Sequence, residues 1–187
     1  VSACEQGDRW WRALGLLAEA ALRSVEPNPV VRSAALSACG KARRWAAALG
    51  TLQGTPAAGL EPNVVTYSAA ISACAEAAQW RRALGLLRCM FLEAIAANIF
   101  ACNAAASACE KGAKWREAAG LLQHVGSLAL EPDVITCSAV LSACEKGGRW
   151  GPAVGLLAAV RARGLRPNTV TCGAAVSACA AAEAWVP

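Results

Sequence analysis

The chain has 187 residues, a hydrophobic fraction of 56%, a mean hydropathy of +0.37, a formal net charge of +5 and ten cysteines. The apolar run from Ala94 to Cys109 invites a membrane reading, but Asn98 and Asn103 interrupt it and no membrane-spanning segment is expected. Nine of the cysteines sit at two repeated positions inside predicted helices, which argues against a disulfide framework and for a reducing compartment, and the modest positive charge is better read as a solvated face than as proof of an anionic partner.

Taken from its start, the chain repeats itself every 35 residues: Cys4 is followed at that step by Cys39, Cys74, Cys109, Cys144 and Cys179. Trp10, Trp45, Trp80, Trp115, Trp150 and Trp185 keep the same interval, as do Asn28, Asn63, Asn98, Asp133 and Asn168. Such self-similarity implies a stacked repeat array in which the apolar excess belongs to a core between units. The division is a partial repeat at 1–28, complete repeats at 29–63, 64–98, 99–133 and 134–168, and a partial repeat at 169–187. Opening in mid-repeat and ending as a second helix should begin, the chain reads as a fragment of a longer array.

In the first partial repeat, Val1 to Glu5 should finish a helix, Gln6 to Arg9 turn, and Trp10 to about Arg23 form a second helix before the loop at 24–28. In repeat 64–98, Tyr67, Ile71 and Cys74, then Leu84, Leu87 and Phe91, fall at i, i+4 and i+7, so two helices are expected over Val65–Glu76 and Trp80–Leu92. Each repeat is therefore a helical hairpin, and the array should hold about 11–14 helices and no strand. Asn28, Asn63, Asn98, Asp133 and Asn168 are N-cap types, Pro29 suits a first turn, and Gly then Pro in 59–63 and 164–168 ends second helices. A hairpin this short cannot bury its own apolar face, so Trp115 and Leu122 are expected to pack between neighbouring helices. The mid-helix Gly15, Gly50, Gly85, Gly120 and Gly155 each cost about 1 kcal/mol relative to Ala, and close helix approach is one reason to keep them. Cys102 and Cys109 share a helical face two turns apart, too far to ligate one metal ion.

Val-Val-Thr-Tyr at 64–67, Ser-Ala-Cys-Glu-Lys-Gly-Gly-Arg-Trp at 142–150, Leu-Leu at 156–157 and Gly-Leu-Arg-Pro-Asn at 164–168 resemble the pentatricopeptide repeat family. The resemblance runs the length of the chain; the departures are Ala-Ala-Asn at 96–98, where Pro is usual, and Trp opening each second helix in place of an aliphatic residue. It implies an all-α solenoid, a right-handed superhelix whose first helices line a groove for single-stranded RNA at one base per repeat. It further implies that the fifth and last residues of a repeat read the base: Ser33 with Asn63, Ser68 with Asn98, Asn103 with Asp133, and Ser138 with Asn168. The second residues, Val30, Val65, Phe100, Ile135 and Val170, would be apolar wedges between bases, and Lys41, Lys111 and Lys146 would meet phosphates. By the family's correspondence the Ser–Asn pairs suggest adenine and Asn103–Asp133 suggests uracil, so the complete repeats would prefer 5′-AAUA-3′; Gly173 offers no polar atom.

Each role has a plainer competitor. The terminal Asn or Asp serves equally as an N-cap, the serines as small residues at helix contacts, and the lysines as complements to a helix C-terminal dipole. The Trp ladder opens the second helices, away from the implied groove, and reads as packing. No catalytic set is present: His124 stands alone, no His-x-Glu with Cys-x-x-Cys occurs, and no cofactor, metal or small-molecule substrate is expected. A helical scaffold for peptide or protein partners is the second function class, although short polar residues at 33, 68, 103 and 138 suit bases better. The array could also be the targeting portion of an RNA-processing enzyme, alongside other RNA-processing proteins. The resemblance points to a mitochondrion or plastid, with no targeting peptide in this chain.

Overall fold

The computed structural model of the chain describes residues 10–22, 29–57, 62–127, 130 and 132–181. The expected helix at 1–5, the turn at 6–9, the loop at 24–28, the cap at Asn28, the Gly-Leu-Glu at 59–61, Cys4 and Trp185 lie outside them. The described residues hold ten α-helices of 13 residues each and no strand. No helix is long and apolar enough to cross a membrane.

Two compact units divide the chain, Val1–Ala97 and Asn98–Pro187. The first contains α1 (Trp10–Leu22), α2 (Pro29–Lys41), α3 (Trp45–Ala57), α4 (Val64–Glu76) and α5 (Trp80–Leu92). The second contains α6 (Ile99–Lys111), α7 (Trp115–Ser127), α8 (Val134–Lys146), α9 (Trp150–Ala162) and α10 (Thr169–Ala181). The first helix of one repeat stacks on the first helix of the next, α2 on α4 in one unit and α6 on α8 on α10 in the other. Within a unit, a second helix packs against the first helix that follows it, as α3 does on α4 and α7 on α8.

Small residues make that stacking close. A Cβ added to Gly40 would lie 3.2 Å from the Cα of Ala73, so α2 and α4 meet nearly backbone to backbone. Around this contact Leu36, Cys39, Ala48 and Ala73 form one buried cluster, and in the second unit Leu141, Cys144, Ala153, Ala174, Ala175 and Ala178 form another. The described cysteines are all free, and six of them, Cys39, Cys74, Cys102, Cys109, Cys137 and Cys144, are buried. Burial raises the pKa of each, to about 11 for Cys74 and Cys102 and about 12 for Cys109, where the nearby Glu117 charge adds to it.

One expectation needs correction. Nothing lies within 4 Å of a Cβ placed on Gly15, Gly50, Gly85, Gly120 or Gly155, so these glycines permit no close helix approach; they face outward. Leu122 is buried and Trp115 packs against the cluster of Leu141, Cys144 and Ala153, as expected, with the ring half-buried; Trp150 is 47% exposed. A tryptophan opening a second helix covers the edge of the core and is in turn covered by arginine. Arg44 lies 5.2 Å from the Trp10 ring centroid, Arg82 4.5 Å from that of Trp45, and Arg149 5.2 Å from that of Trp115. Three of the eighteen Lys and Arg side chains are thus placed in these cation–π stacks.

The turn between the helices of a repeat places one residue in the left-handed region. Arg43, Ala78, Ala113 and Gly148 occupy that equivalent position with φ between 52° and 62°, and only the last is the residue type that adopts it without strain.

Candidate functional site

The first turn of each first helix carries the candidate residues. Asn63, Asn98, Asp133 and Asn168 cap α4, α6, α8 and α10, their side-chain oxygens accepting from the backbone N–H three residues on, at Thr66, Ala101, Thr136 and Thr171. Asn63 and Thr66 close a full capping box, since the Thr66 hydroxyl also accepts from the Asn63 N–H. The capping role and a base-facing role are compatible, because a cap uses one oxygen of the side chain and leaves its other terminal atom.

One turn along, the second residues stand out of the surface. Val30, Val65, Phe100, Ile135 and Val170 are 55 to 73% exposed. Isolated exposed apolar residues need no explanation, but five at one repeat position form a pattern.

The fifth residues lie beside them. In repeat 99–133 the fifth and last residues touch directly: the Asn103 amide Nδ2 donates to Asp133 Oδ2 at 3.0 Å across 30 residues of sequence. The Thr136 hydroxyl lies within hydrogen-bonding distance of Asn103 Oδ1 and 2.9 Å from Asp133 Oδ1, and its one proton is shared between these two acceptors, joining them. Burial alone would raise the Asp133 pKa, but the N–H and hydroxyl of Thr136, the Asn103 amide and the Ile135 N–H outweigh it and hold the carboxyl below its ordinary value. The group is a carboxylate at neutral pH.

In repeat 134–168 the Ser138 hydroxyl bonds to the Val134 carbonyl at 2.6 Å and stands 2.8 Å from the Thr171 hydroxyl, which is 2.6 Å from Asn168 Oδ1. Fifth and last residues are again linked, here through threonine. Ser138 is nearly buried, whereas Asn168 is exposed. The Ser33 hydroxyl donates to the Val30 carbonyl and that of Ser68 to the Val64 carbonyl. The threonines at 66, 136 and 171, buried at the hinge of this arrangement, had no role assigned from sequence; their recurrence at the third position of a repeat was the available signal.

The three lysines end their first helices and are exposed. Lys41 lines a groove with Ser37, Ser72 and Glu76, where a carboxylate faces the same space as the ammonium. The Nζ of Lys146 lies 2.9 Å from Glu110 Oε1, so a phosphate at that point competes with a carboxylate. His124 is exposed in the last turn of α7, and among the described residues no three His, Cys, Asp or Glu side chains gather as metal ligands would.

Comparison with known families gives this geometry its context. Residues 15–77 and 120–182, more than half of the chain, match the pentatricopeptide repeat domain, and residues 65–93 match the PPR repeat. The chain belongs to the pentatricopeptide repeat family. Among solved structures it is similar to the pentatricopeptide repeat protein PPR10 from maize, with a TM-score of 0.76 and 26% identity over 95% of this chain and 25% of that one. It is similar also to PPR10 in complex with an 18-nt psaJ RNA element, at a TM-score of 0.73 and 26% identity over 95% of this chain and 26% of that one. The fold is shared with the PPR domain of Arabidopsis thaliana protein-only RNase P 1 in complex with tRNA, at a TM-score of 0.73 and 14% identity over 90% and 89% of the two chains. The chain spans about a quarter of the length of PPR10. No curated protein sequence matches it.

Proposed function

We propose that this chain binds single-stranded RNA sequence-specifically, one base per repeat, without chemistry of its own, and that it acts in RNA processing, stability or translation in a mitochondrion or plastid. The observation that carries the reading is the joined pair Asn103–Asp133, set between the exposed Phe100 and Ile135. An unstacked base needs two flat contacts and a hydrogen-bonding edge, and this arrangement offers both.

Donor and acceptor bookkeeping supports the assignment of bases. Asn103 Nδ2 retains a second hydrogen, and the Asp133 carboxylate retains lone pairs. A donor beside an acceptor complements the O4 and N3–H of uracil. In repeat 134–168 the Ser138 proton goes to the Val134 carbonyl or the Thr171 hydroxyl and Asn168 Oδ1 accepts from Thr171, leaving the Ser138 oxygen as acceptor and the Asn168 amide as donor. That order complements the N6–H and N1 of adenine. With the family's correspondence assigning adenine to Ser33–Asn63 and Ser68–Asn98 as well, the complete repeats select 5′-AAUA-3′. Val30, Val65 and Val170 serve as further wedges, and Lys41, Lys111 and Lys146 meet the backbone, Lys146 by exchanging Glu110 for phosphate.

The test is binding of ten-nucleotide RNAs by fluorescence anisotropy at low salt. RNA containing AAUA should bind more tightly than RNA with one base replaced, each mismatch costing about 1–3 kcal/mol. Equal affinity for AAUA and a permuted sequence would reject the reading.

A further inference from the structure

We propose that the third residue of the following repeat, where it is Thr66 or Thr171, is a positioning residue that sets which polar atom of the preceding Asn63 or Asn168 faces the base, and so sharpens base selection; this rests on the RNA reading above. The geometry repeats. Asn63 Oδ1 lies 3.0 Å from the Thr66 backbone nitrogen and 3.3 Å from its hydroxyl oxygen, Asp133 Oδ1 lies 2.8 and 2.9 Å from those of Thr136, and Asn168 Oδ1 lies 2.8 and 2.6 Å from those of Thr171. The threonines are 0 to 2% exposed, so water does not compete for these bonds.

The consequence is an orientation. A reversed Asn168 amide would set its NH2 against the Thr171 N–H, a cost that any residue at 171 imposes, and would also take away the acceptor of the Thr171 hydroxyl, a cost that only a hydroxyl adds. Held this way, Asn168 offers only a donor outward. The same oxygen also contacts the fifth residue: Thr171, its proton on Asn168, accepts from Ser138, and Thr136 lies within bonding distance of Asn103 as well as of Asp133, so one side chain touches both members of a reading pair. Asn98 supplies the contrast within the chain. Its Oδ1 accepts from the Ala101 N–H at 2.9 Å, and residue 101 brings no hydroxyl.

The test uses the whole chain and ten-nucleotide RNAs varied at one base, with circular-dichroism melts to confirm folding. Thr171→Val should lower the preference for adenine at the base read by Ser138 and Asn168 at least fivefold. The uracil preference at Asn103 and Asp133 should not move, and Thr171→Ser should restore the lost selectivity. Ala101→Thr, which adds the hydroxyl found at the equivalent positions, should raise selectivity at the base read by Asn98 at least threefold. Unchanged preference in Thr171→Val, or an equal loss of affinity for all four bases, overturns the positioning role alone. A wild-type chain with no preference at any base overturns the RNA reading and this role with it.

Discussion

Trp115→Ala tests how much a half-buried tryptophan at the head of a second helix stabilises its unit. The ring packs against the cluster of Leu141, Cys144 and Ala153, with Arg149 stacked on it 5.2 Å from the centroid. Truncating a fully buried tryptophan costs about 3–5 kcal/mol, and half-burial brings the packing loss to about 2 kcal/mol. Loss of the cation–π contact adds about 0.5–1 kcal/mol, for a total of about 2–3 kcal/mol. Urea and thermal denaturation followed by circular dichroism should show it, with a Tm lowered by about 5–10 °C. A second change isolates the packing. A Cβ on Gly147 would lie 2.9 Å from Trp115 Cδ1, so Gly147→Ala should cost about 1–3 kcal/mol in the wild type and less when Trp115 is already Ala. An unchanged Tm in Trp115→Ala, or strictly additive effects in the double variant, would refute the packing argument.

Gly120→Ala, on an outward-facing helical position with nothing within 4 Å, should stabilise the chain by about 0.5–1 kcal/mol; destabilisation in the same melts would mean the glycine has a contact after all. In alkylation at mildly alkaline pH read by mass spectrometry, the exposed Cys89 should react first, and Cys102 and Cys109, buried and with thiols pushed up to about 11 and about 12, should react only on unfolding. Asp133 has a folded pKa below its unfolded value of about 3.8, so its stabilising contribution is complete above that value and is lost as pH falls through the lower folded one. The urea midpoint of Asp133→Asn should therefore fall less between about pH 6 and about pH 3 than that of the wild type, and parallel declines would show that the carboxylate is not held by these hydrogen bonds.

The hairpin architecture was legible because a 35-residue period repeats each signal: Val65–Glu76 was expected where α4 runs Val64–Glu76, and Trp80–Leu92 coincides with α5. Periodicity identifies a face but not what covers it. Trp115 has the same apolar signature buried or half-buried, and the mid-helix glycines look like contact points while facing solvent. Gly148 announces its left-handed turn, but Arg43, Ala78 and Ala113 adopt the same φ without being glycine, each turn closed by the same backbone bond from the next residue back into the first helix, as Arg44 N–H to the Cys39 carbonyl. At the candidate site, the caps at Asn63, Asn98, Asp133 and Asn168 were readable from propensity. The bridging threonines were not, since the bonds from Thr136 to Asn103 and from Thr171 to Ser138 cross 33 residues. The Lys146–Glu110 pair crosses 36 residues and was equally hidden.

The most direct measurement of the central claim exchanges one reading pair for another. With Asn103→Ser and Asp133→Asn introduced together, repeat 99–133 acquires the pair found in its neighbours, and anisotropy titrations should show its preferred RNA change from AAUA to AAAA, with the order of affinities reversed. If the wild type and the exchanged chain bind both RNAs equally, the fifth and last residues do not read bases, and the account of function fails while the helical array stands.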